Sequence, residues 1–101
     1  MDSVEQTKDA LKRVYHERRP GQHWFDRDTM RFFGTRIGRV VQVGQVWLFV
    51  TSEKPPHGER AYNLRRMSET GDITTVGEFC VLTRGQARHA LSAELAKDGA
   101  E

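Results

Sequence analysis

Apolar positions along this chain change their period twice. Val4, Thr7, Ala10, Leu11, Val14 and Tyr15 recur at three- and four-residue spacing behind Ser3-Val-Glu-Gln6, which has the form of a capping box. The spacing predicts an amphipathic helix over about residues 4–18, ended by Arg19-Pro20-Gly21. After a short loop through Trp24, a second, short helix is expected over about residues 27–33. Asp26 would cap it, Phe25 and Met30 stand at staple positions, and Gly34 supplies a left-handed stop. Trp24, Phe25, Met30, Phe32 and Phe33 lie within ten residues, so this stretch reads as an aromatic plug that docks the N-terminal half onto the core.

From Ile37 the alternation becomes that of strands. Strands are expected at about 38–43 and 46–52, with Gly44-Gln45 between them as either a two-residue hairpin or a bulge in one long strand. A polar connection, Ser52 to Gly58, leads to further strands at about 60–68 and 73–81, joined by the Thr70-Gly71-Asp72 turn. Thr83-Arg-Gly-Gln86 is a second capping box, and Ala87, Ala90, Leu91 and Leu95 line one face of a helix over about 84–97. The fold expected is one α+β domain over residues 1–101. An antiparallel three- or four-stranded meander carries the N-terminal helix, the short helix and the C-terminal helix on one of its faces.

Composition narrows the function classes. With 101 residues, 37% hydrophobic and 30% charged, the chain suits one modest core. The longest apolar run, Val46 to Val50, is far too short to cross a bilayer, so no membrane partner is expected. The polar, acidic start lacks the pattern of a signal peptide, and Cys80 is the single cysteine. Both favour the cytoplasm.

Reactive constellations do not emerge from the spacing. His16, His23, His57 and His89 are scattered without metal-ligand intervals, and Gly34-Thr-Arg-Ile-Gly38 lacks the Gly-Lys-Ser/Thr ending of a phosphate loop. Cys80 reads as a small strand hydrophobe, and Asp26 and Asp28 as acids suited to a helix N-terminus. The expectation is a non-enzymatic protein with no cofactor and no metal, acting by binding.

The partner is suggested by arginine. Lys plus Arg is 16 against 14 acids, and only Lys8, Lys12, Lys54 and Lys97 are lysines. Residues 1–39 hold nine basic and six acidic side chains, whereas residues 70–101 hold three and five, so the basic character is concentrated early. Arg27, Arg31, Arg36, Arg39, Arg60, Arg65 and Arg66 form a candidate nucleic-acid track, with Trp47 or Tyr62 as stacking partners and Asn63 or Arg65 as base readers. The alternative is a protein-binding antagonist of a host factor or defence system, anchored by Trp24, Phe25 and the Pro55-Pro56-His57 loop. An exposed edge strand would also leave a homodimer open.

Two resemblances complete the reading. Trp24-Phe-Asp-Arg-Asp-Thr-Met-Arg-Phe-Phe-Gly-Thr-Arg-Ile37 resembles the opening motif of small proteins of unknown function encoded by phages and other mobile elements, notably of actinobacterial hosts. Val50-Thr-Ser-Glu53, Tyr62-Asn-Leu-Arg65 and Thr70 to Phe79 fit the same pattern, and the likeness extends over about residues 23–95. It implies an accessory protein acting in the cytoplasm of the infected or carrier bacterial cell, without assigning an activity to any residue. Residues 60–96 are also similar to the strand-strand-helix end of integrase-arm DNA-binding domains, which implies DNA contact through a sheet.

Overall fold

A computed structural model describes residues 3–22, 24–54, 57–77 and 83–99. Its elements in chain order are β1 (Ser3–Gln6), α1 (Lys8–Arg18), α2 (Arg27–Phe32), β2 (Arg36–Val43), β3 (Val46–Glu53), β4 (Ala61–Met67), β5 (Ile73–Val76) and α3 (Arg84–Gly99). The architecture is α+β, with five antiparallel strands among the described residues, in the sheet order β1-β2-β3-β4-β5. The sheet therefore has one strand more than the largest count expected. The far end of the strand expected at 73–81 lies outside the described residues.

The added strand comes from the start of the chain. Ser3–Gln6 pairs with β2, Val4 opposite Gln42 and Gln6 opposite Val40, and Gln6 Nε2 donates to Gln42 Oε1 at 3.0 Å. Helix α1 begins later than expected because Thr7, not Ser3, is its cap: Thr7 Oγ1 accepts from the Ala10 N–H at 3.1 Å. Pairing along a whole strand outcompeted a four-residue local signature, since helix propensity yields to tertiary hydrogen bonding.

Helix α2 keeps its expected stop. Gly34 takes φ 61 and the Thr35 N–H returns to Met30 O at 2.8 Å. Asp26 occupies the extended cap position, although its side chain makes no capping hydrogen bond. Gly44-Gln45 is a hairpin turn, with Val43 and Val46 as the last pair and Gly44 at φ 60.

The bulge occurs instead inside β2. Ile37 pairs with Thr51 but Val40 with Phe49, so three steps on β2 match two on β3. This extra residue reverses the alternation. Ile37 joins Val40 on one sheet face, and Arg36 joins Arg39 on the other.

Helices cover both faces, which corrects the one-face arrangement expected. On the first face, Leu11 and Tyr15 of α1 and Phe25 pack on Ile37, Val40, Trp47, Phe49 and Met67, with Trp24 and Met30 at the margin. On the second, Ala87 and Leu91 of α3 cover Val41, Val43, Leu48, Val50 and Leu64. The central strand reads buried at six consecutive positions, Trp47 to Ser52, as a strand covered on both sides must. Only part of the aromatic plug is internal. Trp24 meets Phe25 and Phe49 edge-to-face and those two rings tilt against each other, but Phe32 is 84% exposed and Phe33 56% exposed.

Candidate nucleic-acid interface

The second sheet face holds a groove between α3 and the strands on its β1–β2 side. Arg84 and Arg88 are one turn apart on α3, with Leu91 and Ser92 continuing the same stripe. Opposite them stand Arg39 from the β2 bulge, Glu5 from β1 and Tyr62 from β4, around a cavity of about 570 Å³. A smaller cavity of about 230 Å³ extends the groove past Arg84 to Arg36, Ser52 and Arg60. Tyr62 and Arg84 belong to both cavities.

Each basic side chain arrives there for a local reason. Arg39 reaches this face by alternation with Val40, the bulge brings Arg36 to the same face, and the Thr83–Gln86 capping box fixes the start of α3. The Thr83 N–H donates to Gln86 Oε1 at 2.8 Å, and the Gln86 N–H to Thr83 Oγ1 at 3.2 Å. Arg60 Nη1 donates to Gly34 O at 2.8 Å, Ser52 O at 3.2 Å and Ser52 Oγ at 3.0 Å, so it holds the exit of α2 to β3 while bordering the groove. Among the described residues, Arg36, Arg39, Arg84 and Arg88 enter no hydrogen bond or ion pair through their guanidinium groups.

Arg84 also breaks a local electrostatic preference. The first turn of α3 contains no acid, whereas α1 has Asp9 and α2 has Asp28 in theirs. A cation at that end opposes the helix dipole, and a bound anion would relieve both.

The seven arginines of the expected track do not form one surface. Arg36, Arg39 and Arg60 come together in the groove. Arg27 and Arg31 are exposed on α2 at the opposite face. Arg66 is half-buried on the α3 side but outside both cavities. Arg65 is buried on the first face, where Nε donates to Thr51 Oγ1 at 3.1 Å, Nη1 to Thr75 Oγ1, and Nη2 to Glu53 Oε1 at 3.2 Å. Its guanidinium carbon lies 5.8 Å from the Trp24 ring centre. Asn63 is fully buried and donates to Glu53 Oε2 at 2.6 Å, so neither expected base reader faces outward. Trp47 is buried too, which leaves Tyr62 as the accessible member of the expected stacking pair. Arg84 and Arg88 were missed, although their i, i+4 spacing beside the apolar stripe of α3 was a usable signal.

The residues of the protein-binding alternative also separate. Phe25 is core, and His57 is exposed. Trp24 lines a cavity of about 250 Å³ with Met30, Phe33, Glu53 and Arg65. Pro55 and Pro56 lie outside the described residues, as do His23 and Cys80.

Among the described residues, no group of three His, Cys, Asp or Glu side chains is arranged to hold a metal, and no helix is long and apolar enough to cross a membrane. Comparison with protein families matches residues 7–92 to DUF7447, a family of unknown function. No curated protein and no solved structure matches the chain.

Proposed function

We propose that this member of the DUF7447 family is a non-enzymatic binding protein that engages nucleic acid through the groove beside α3. The observation that carries the reading is the set Arg36, Arg39, Arg84 and Arg88, which converge on one cavity system without a carboxylate partner. Exposed guanidinium groups gathered around one groove still repel one another, and an anion shared among them would relieve that repulsion. Phosphate suits the planar five-donor fork, and a row of such forks suits a repeating phosphate backbone. A phage or mobile-element setting belongs to the same proposal and rests on the motif around Trp24 to Ile37.

The test is binding of fluorescent oligonucleotides at two salt concentrations. Four phosphate contacts predict that affinity falls roughly 50-fold between about 50 and about 200 mM salt. Replacing Arg84 and Arg88 by Ala should weaken binding and flatten the salt dependence, while Arg27→Ala and Arg31→Ala should change little. Equal effects from both pairs would reject the groove.

One observation favours a second reading, antagonism of a host protein. Phe32 and Phe33 stand edge-to-face at 5.0 Å on the surface of α2, beside the Trp24 cavity. Exposed aromatics of this size are typical anchors. Recovery of one stoichiometric protein from nuclease-treated host lysate, lost with Phe32→Ser, would support it over the groove.

A further inference from the structure

Tyr62 is the aromatic side chain lining the groove beside α3. It is half-buried, rests against the Val41–Leu48–Leu64 cluster, and forms a wall common to both cavities. Guanidinium groups flank it on each side: Arg39 and Arg88 in the larger cavity, Arg36 and Arg60 in the smaller, and Arg84 in both. One aromatic ring thus shares the junction of the two cavities with Arg84.

A duplex cannot use that ring. Its bases are stacked inside, and it presents phosphate and groove edges, which are read best by a projecting helix or ribbon. Here the arginines border a groove between a helix and a sheet rather than project from one element, and the larger cavity has the size of a small-ligand pocket, about 570 Å³. A single strand meets both features. Its backbone can follow the arginines, and an unstacked base can leave the backbone to lie against the phenol. Resting on the proposed nucleic-acid role of this groove, we infer that the ligand is single-stranded and that Tyr62 is the stacking platform for one base. The interaction tolerates different sequences, because every base offers a flat face.

Fluorescence anisotropy with a labelled oligothymidylate and with a duplex of equal length tests this. The wild-type protein should bind the single strand at least about ten-fold more tightly. Tyr62→Phe should retain that preference, and Tyr62→Leu should lose roughly ten-fold on the single strand with little change on the duplex. Arg84→Ala should weaken both ligands. If Tyr62→Leu melts well below wild type, a bromodeoxyuridine-substituted strand crosslinked to the wild-type protein replaces it, and adducts should map to Tyr62. Equal affinity for the two forms, with Arg84→Ala still weakening both, would overturn the single-strand inference and leave the groove standing. Crosslinks confined to other residues would do the same. Binding of neither form would remove both.

Discussion

Glu53 and Arg65 form an ion pair at 3.2 Å inside the sheet, with their side chains only 15% and 11% exposed. Asn63, Thr51 and Thr75 complete the network, and Trp24 covers it. A charge left alone at such a site is expensive. Arg65→Ala should therefore cost about 3 kcal/mol, seen as a fall in melting temperature of more than about 10 °C. Arg36→Ala and Arg39→Ala, on exposed positions, should stay within about 0.5 kcal/mol of wild type. A loss of nucleic-acid binding by Arg65→Ala would accordingly report unfolding, and the exposed variants are the informative ones.

Helix α1 is tied to two hairpin tips by consecutive arginines. Arg18 Nη1 donates to Gln45 O at 3.0 Å and to Ser68 O at 2.9 Å, while Arg19 bonds Thr70 O and pairs with Asp72. Gly71 lies beneath them at φ +91, and a Cβ there would stand 2.9 Å from Arg18 Cβ and 2.7 Å from Arg19 Cγ. Gly71→Ala should destabilise by about 2 kcal/mol, combining left-handed strain with displacement of α1. Chemical denaturation would show it as a lower midpoint at unchanged slope.

Burial pushes the Tyr15 phenol above its ordinary value of 10.0, with Arg19 opposing the shift. The folded protein then keeps that proton at a pH where the unfolded chain has released it. Stability should be intact below pH 10.0 and fall as pH rises from there through the folded-state value. Tyr15→Phe should reduce this alkaline loss, measured as melting temperature against pH.

Glu5 is the acid facing Arg39, Arg84 and Arg88 across the larger cavity, and it is in ion-pair contact with none of them. A phosphate entering the groove must approach that carboxylate. Glu5→Gln should tighten oligonucleotide binding several-fold at low salt and less at high salt, as a screened repulsion requires. Unchanged affinity at both salt concentrations would place the phosphates away from β1.

Much of this molecule was legible beforehand because the information is local. The Thr83–Gln86 box, the left-handed stop at Gly34, the Gly44-Gln45 turn and the alternating strands each depend on residues within a few positions of one another. Ser3–Gln6 shows the limit. It carries the same signature as Thr83–Gln86, yet it is an edge strand, because β2 offers it four paired positions and Thr7 caps the helix instead.

The candidate site was less legible. The sequence by itself determined that arginine would be the dominant cation, that period-two strands would follow an N-terminal helix and a second, short one, and that an amphipathic helix would close the chain. Only the tertiary structure decided which arginines face solvent together. A bulge brings Arg36 to the face that Arg39 occupies, α3 brings Arg84 and Arg88 to them from far along the chain, and Arg65 turns inward toward Glu53. The physical reason is that side-chain period fixes a face only relative to its neighbours. Which face becomes interior is settled when the layers pack, through burial and pairing between residues far apart in the chain.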